Sequence, residues 1–171
     1  MKDVFFIYDS CCFYEIVTLS YFMRFSGCDL VFCAPEGKPV RVMEGFTVQP
    51  DLSRGDLDRE RIRSFILPGG AVSSINHQEI WNLLRELKAK QVLIAGICAG
   101  VDVLDAAGIL EKVRSTHSVD EDLVKDGKII TARANAYLDF AIKTADALGL
   151  FSSEEDLQET IAFWKHHQRM Q

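Results

Sequence analysis

Four short apolar runs, each followed by a segment of helical period or a glycine stop, decide what this chain can become. They are "MKDVFFIYD" at the start, "DLVFCAP" over 29–35, "SFILPGG" over 64–70 and "QVLIAGIC" over 91–98. Runs this apolar suit strands buried on both faces. After the first, Phe13, Ile16, Val17, Phe22 and Met23 recur at near-helical spacing until Gly27, with Asp9 or Ser10 as the expected N-cap. Residues 73–90 place Ile80, Leu83, Leu84 and Leu87 on one helical face, and Ser73 or Ser74 is expected to start that helix. A further helix leaves the fourth run and reaches Gly108. Strands alternating with helices imply a mostly parallel sheet with helices on both faces. "VRVMEGFTVQPD", 40–51, reads as an edge ribbon and "DLDRERIR" as a short polar helix. "LVKDGKIITAR", 123–133, reads as a hairpin turning at Asp126-Gly127. Two helices, near 136–148 and 153–168, finish the chain. With no repeat, biased segment or linker, residues 1–171 form one expected domain.

Charge and cysteine usage narrow the function. Lys and Arg total 19 against 25 Asp and Glu, a net charge of -6, and the basic residues are scattered, so nucleic acid is not an expected partner. The opening apolar run is too short for a signal peptide, and no run approaches the roughly 18 residues of a membrane span, so the cytoplasm is the expected compartment and no membrane contact is expected. Five cysteines, at 11, 12, 28, 33 and 98, are odd in number and contain no Cys-x-x-Cys pair. This argues against a disulfide scaffold and against a metal site, and for reduced thiols. Neither a dinucleotide fingerprint nor a phosphate loop is visible, so no cofactor is expected.

In a parallel sheet, ligands bind beyond the carboxyl ends of the strands. Both glycine-rich stops, 68–70 and 96–100, fall there. The second, Gly96-Ile97-Cys98-Ala99-Gly100, has the form Gly-x-Cys-x-Gly. Its serine counterpart is a nucleophile elbow, a sharp strand-to-helix turn that exposes the central side chain. A helix N-terminus there favours thiolate and is expected to lower the Cys98 pKa. The Ala99 amide would point toward an oxyanion formed near Cys98, and the Gly70 amide would supply a second donor. The plainer alternative is a buried cysteine in an ordinary tight turn; the second glycine stop, Gly69-Gly70, favours the reactive thiol.

The chain resembles the ThiJ/PfpI superfamily. The resemblance rests on "CCFYEIVTLSYFMRFSG", "FILPGG", "AGICAGVDVLDAAGIL" and "VKDGKIITAR", the last three spaced as the family spaces them, and it runs from the first strand to the helix near 148. It implies a flavodoxin-like three-layer sandwich, commonly a homodimer, a reactive Cys98 at the elbow and an oxyanion hole at Gly70 and Ala99. It also implies that Glu15, in the first helix, meets the nucleophile; flanking Phe13, Tyr14, Ile16 and Val17 suit a buried acid of raised pKa.

Departures from the family pattern matter as much. The peptidase-like branch carries a histidine directly after the cysteine, where this chain has Ala99, so protease activity is not expected. Another branch has a histidine just before its hairpin, which the short "SVDED" omits. His117 remains as the candidate base, or as a loop histidine bonded to a nearby acid. Asp102 is expected to cap local amides, or else to face the pocket, and Arg133 to support the structure, or else to bind a carboxylate or the dimer partner. Cys11 and Cys12 fall near the pocket, where a second thiol would resolve an oxidised Cys98 or simply pack at the helix start. Cys28 and Cys33 read as small apolar fillers.

The function expected is nucleophilic attack by Cys98 on a small electrophilic substrate, an aldehyde, a glycated adduct or an isonitrile-like centre, in a hydrolase or lyase. The alternative is a redox-responsive protein without turnover, whose cysteine passes to sulfinic acid.

Overall fold

A computed structural model describes residues 1–169. The chain runs β1 (Lys2–Phe6), α1 (Tyr14–Phe25), β2 (Asp29–Ala34), β3 (Val40–Arg41), β4 (Thr47–Val48), β5 (Leu52–Ser53), β6 (Ile62–Leu67), α2 (Gln78–Ala89), β7 (Leu93–Ile97), α3 (Gly100–Ala106), β8 (Leu123–Asp126), β9 (Ile129–Ala132), α4 (Tyr137–Ala147) and α5 (Glu154–His166). The four apolar runs become β1, β2, β6 and β7; β1, β6 and β7 are buried almost throughout because helices cover the sheet, and β2, nearer its edge, is buried at Val31, Cys33 and Ala34.

Seven strands form one sheet in the order β5-β2-β1-β6-β7-β9-β8. Every pairing is parallel except β8 with β9, the expected hairpin, whose turn places Gly127 at φ +55°. β3 and β4 form a separate two-stranded ribbon. α1 packs with α4, and α4 with α5; α2 packs with α3 and against β7. The result is a flavodoxin-like three-layer sandwich. Phe6 stacks toward Phe65 at 5.5 Å and Phe5 toward Phe32 at 5.3 Å, tying β1 to both neighbours through the core. The chain leaves β1 toward β2 on one side and enters β6 on the other. The strand order therefore reverses between β1 and β6, and such a reversal opens a crevice at the carboxyl ends of those strands.

Several local expectations change. Neither Asp9 nor Ser10 caps α1. Asp9 Oδ1 instead accepts from the Arg41 amide at 2.7 Å, Ser10 turns at φ +62°, and the free Tyr14 amide donates to Glu44 from the ribbon at 2.6 Å. Ser73 and Ser74 do not start α2; they lie in a separate turn pinned by buried Ile75, and α2 begins at Gln78. "DLDRERIR" contains only a single turn, 59–61, because Ile62 and Arg63 already belong to β6. Val17 faces solvent, and Leu19 takes its place in the core.

One buried charge sits at the opposite end of the sheet. Asp3 is fully buried and accepts two hydrogen bonds from Arg63, at 2.9 and 2.6 Å, and one from Ser64 at 2.7 Å. α5, capped by Ser153, packs Trp164 edge-on against Phe22 of α1 at 5.4 Å. Among the described residues, no helix is long and apolar enough to cross a membrane.

Candidate active site

β7 ends at Ile97 and α3 begins at Gly100, so Cys98 and Ala99 make the whole turn. Cys98 adopts φ +56°, the left-handed region, at a cost of about 1–2 kcal/mol for a residue with a side chain. Strain of this kind on a half-exposed cysteine is what an elbow requires. The glycines around it answer close approaches. A Cβ on Gly100 would lie 2.5 Å from the Leu67 carbonyl oxygen, and one on Gly96 would lie 2.7 Å from Leu104 Cδ1.

The facing wall is Pro68-Gly69-Gly70, beyond β6. The Tyr8 hydroxyl points at two of its carbonyls, Pro68 O at 3.0 Å and Gly69 O at 2.7 Å. The Cys12 amide donates to Gly69 O at 2.9 Å, and the Ala71 amide donates to Ser10 O at 3.0 Å. These bonds clasp the loop after β1 to the loop after β6. A Cβ on Gly69 would meet Cys98 Cβ at 2.6 Å and its Sγ at 2.9 Å, so only glycine lets this wall touch the nucleophile position. Gly70 is at φ +117°. Tyr8 was not singled out from sequence; its place at the end of the first apolar run, with a polar tip, was the available signal.

Glu15 stands where the two loops meet. It is 1% exposed, and its Oε2 accepts from the Gly69 amide at 2.7 Å. Its other oxygen, Oε1, is buried without a partner in the conventional hydrogen-bond network. Burial raises the Glu15 pKa above its ordinary value, against the opposing pull of the Gly69 amide and the Cys98 thiol. The Cys98 pKa is also raised, by burial first and by the Glu15 carboxylate second, although the Ala99 amide lowers it. Burial and the Glu15 carboxylate thus act against the lowering expected from the helix terminus. α3 spans only Gly100–Ala106, and its terminus is outweighed by desolvation and an adjacent acid.

The remaining candidates sort by position. His117 lines the cavity of about 430 Å³ that holds Cys98, together with Ala99, Asp102 and Arg133. Its Nε2 lies 3.2 Å from Asp102 and its Nδ1 3.5 Å from Asp105. Asp102 thus meets a histidine, not the local amides. Arg133 pairs with Asp120 at 2.8 Å and Asp122 at 3.4 Å, binding the 120–122 loop to the end of β9. Cys11 pairs with Gly70 through its backbone while its side chain is fully buried; Cys12 is the half-buried thiol beside the site. Cys33 is a core filler, pushed up to about 12 by burial, whereas Cys28 accepts a contact from Arg63 Nη2 at 3.0 Å. Among the described residues, no group of three or more His, Cys, Asp or Glu is placed to hold a metal ion.

A parallel α/β sheet with a strained cysteine at a strand–helix elbow, backed by a buried glutamate from the first helix, defines a class of cysteine-elbow proteins. Comparison with known proteins gives the chain its family. The profile of the DJ-1/PfpI family matches residues 1–147, and the chain belongs to that family. It is 28% identical to the glutathione-independent glyoxalase DJR-1.2 of Caenorhabditis elegans, with 78% of this chain and 80% of the relative covered. It is 30% identical to the protein DJ-1alpha of Drosophila melanogaster, over 65% of this chain and 60% of the relative. Its fold matches the crystal structure of a DJ-1 superfamily protein from Agrobacterium tumefaciens with a TM-score of 0.86 and 26% identity, covering 98% and 100% of the two chains. α5 lies beyond the family match.

Proposed function

We propose that Cys98 is the nucleophile of an enzyme acting on a small reactive aldehyde. The observation that carries this reading is the buried Glu15 oxygen with no conventional partner, beside a strained cysteine. A protonated Glu15, which the Cys98 thiol and the Tyr14 hydroxyl both approach, can donate to the Cys98 sulfur. The sulfur adds to the carbonyl carbon, and the developing oxyanion is met by the Ala99 and Gly70 amides. Glu15 carries the proton between sulfur and oxygen, because it is the acid that reaches the nucleophile. His117, held between two carboxylates, positions the cavity wall. The name of the Caenorhabditis elegans relative supports the aldehyde over a glycated adduct or an isonitrile-like centre. The test is turnover of methylglyoxal. Wild type is expected to consume it, Cys98→Ser to lose activity to the uncatalysed level, and His117→Asn to retain most of it. Unchanged turnover in Cys98→Ser refutes the reading.

The second reading is a redox-responsive protein without turnover, favoured by the half-exposed position of Cys98 and by the engagement of both His117 nitrogens. Absence of turnover together with selective peroxide modification of Cys98 would establish it. The five free cysteines suit a reducing compartment such as the cytoplasm.

A homodimer belongs to the same proposal. α1 shows Tyr14, Val17, Tyr21 and Phe25 to solvent at helical spacing, Phe25 being 83% exposed, and the stripe continues onto Tyr137. An apolar stripe of this extent on a small protein marks an interaction surface, and a second copy of the chain is the occupant proposed.

A further inference from the structure

We propose that Cys12 is the resolving thiol for an oxidised Cys98, closing a reversible disulfide across Gly69. The inference rests on the reading of Cys98 as a reactive thiol and adds a second residue to its chemistry. Both cysteines contact the same glycine. The Cys12 amide is bonded to Gly69 O at 2.9 Å, while the position a Gly69 Cβ would take is 2.9 Å from Cys98 Sγ. No side chain stands at residue 69 to separate them. Both thiols are half-buried and free, so peroxide reaches the first and the second is not locked in the core, as neighbouring Cys11 is. Cys12 also precedes α1 and lies outside any strand, so its side chain can turn toward the elbow without breaking a ladder.

The chemistry needs only hydrogen peroxide. The Cys98 sulfur attacks one peroxide oxygen, an S–O bond forms, the O–O bond breaks, and the second oxygen leaves as water after taking a proton. Cys98 is then a sulfenic acid. The Cys12 sulfur attacks that sulfur, an S–S bond forms, the S–O bond breaks, and the hydroxide leaves as a second water with the Cys12 proton. The order of events is set by the chemistry. Two thiols cannot join without an oxidant, so Cys12 acts only after Cys98 has become a sulfenic acid. Burial pushes Cys12 up to about 11, with Glu15 and Cys98 adding to the rise.

The experiment is peroxide titration of the whole chain, read by non-reducing peptide mass mapping and by recovery of free thiol with dithiothreitol. Wild type is expected to yield a Cys12–Cys98 cross-linked peptide and to recover both thiols on reduction. Cys12→Ser is expected to lose the cross-link and the recovery, with Cys98 carried on to sulfinic acid. Cys98 oxidised to sulfinic acid in wild type, with Cys12 left as a free thiol, overturns the inference while leaving Cys98 reactive. Cys98 untouched by peroxide and by alkylating reagents overturns the reading of Cys98 itself, and the inference with it. A folding defect in Cys12→Ser does not shelter the inference, because the cross-linked peptide is sought in wild type.

Discussion

Replacing Gly100 by alanine separates two physical effects of opposite sign. Gly100 opens α3, and in an ordinary helix alanine is favoured over glycine by roughly 0.8–1.0 kcal/mol. Here the added Cβ would lie 2.5 Å from Leu67 O, 2.8 Å from Pro68 O and 3.1 Å from the Pro68 carbonyl carbon. A carbon–oxygen contact relaxes at about 3.3 Å, so α3 and the end of β6 must part by roughly 0.8 Å. All three atoms are backbone, and Pro68 O is further fixed by the Tyr8 hydroxyl, so no side chain can rotate away. Overpacking of this kind costs about 1–3 kcal/mol, and an immovable neighbour puts Gly100→Ala at the upper end. Subtracting the helix gain leaves a net loss of about 2 kcal/mol, and for a chain this size each kcal/mol moves Tm by roughly 2–4 °C.

The expected result is therefore a Tm lowered by about 4–8 °C, measured by calorimetry or circular dichroism. The same movement separates Cys98 from the Gly69 wall, so alkylation of Cys98 at fixed pH should change as well. Gly127→Ala is the control. Gly127 lies in open space at φ +55°, so its alanine bears only backbone strain, of about 1–2 kcal/mol, and leaves Cys98 reactivity untouched. A Gly100→Ala variant that is as stable as wild type or more so, with unaltered alkylation, would refute the close-packing account of the elbow.

Four further outcomes follow from the same geometry. Glu15→Gln keeps an oxygen for the Gly69 amide but removes the carboxylate charge, so the pH midpoint of Cys98 alkylation should fall; an unchanged or higher midpoint would sink the proposed contact. Because folded Glu15 holds its proton above the ordinary 4.5, the folded chain binds more protons than the unfolded one in the window above that pH, and stability should fall as pH rises through it; urea unfolding across the window should show this slope in wild type and not in Glu15→Gln. Arg63→Met strips the fully buried Asp3 of two of its three hydrogen bonds and should cost about 3–5 kcal/mol in urea unfolding, with a loss under 1 kcal/mol counting against it. Phe25→Glu should convert a dimer to a monomer in sedimentation; a wild-type chain that is already monomeric rules out the α1 stripe as a dimer face.

The parts legible in sequence were those whose signal is local. Four apolar runs, the Asp126-Gly127 turn and two glycine stops each lie within about ten residues, and strand alternation with helices then fixes where the stops meet. The parts that escaped depend on distant partners. α1 finds its cap in Glu44, 30 residues away, so no inspection of Asp9 or Ser10 reveals it. Asp102 looked like a capping acid until the 115–122 loop returned His117 to it. The choice between Cys11 and Cys12 turned on one residue of register, which buries the first and leaves the second at the site. The raised Cys98 thiol escaped because a helix start is visible in sequence, whereas desolvation is visible only in the fold.

That raised thiol bears on which electrophiles the site would serve. Cys98 and Glu15 are close enough for each to affect the other's titration, so their apparent pKa values belong to the pair. The pair holds one proton in the reacting state proposed, and with that proton on Glu15 the sulfur carries its charge in a buried setting, an unfavourable ground state. Bond formation to a carbonyl carbon moves the charge from sulfur to the oxygen proposed to face the Ala99 and Gly70 amides, where Glu15 can deliver its proton. Interactions that improve only as the reaction proceeds are those that accelerate it. A simple alkylating reagent also removes the charge from sulfur but uses neither amide nor the proton. The proposed mechanism therefore requires Glu15→Gln to impair aldehyde turnover while leaving alkylation at a fixed pH undiminished. Equal effects on both reactions would mean that Glu15 tunes the thiol and moves no proton.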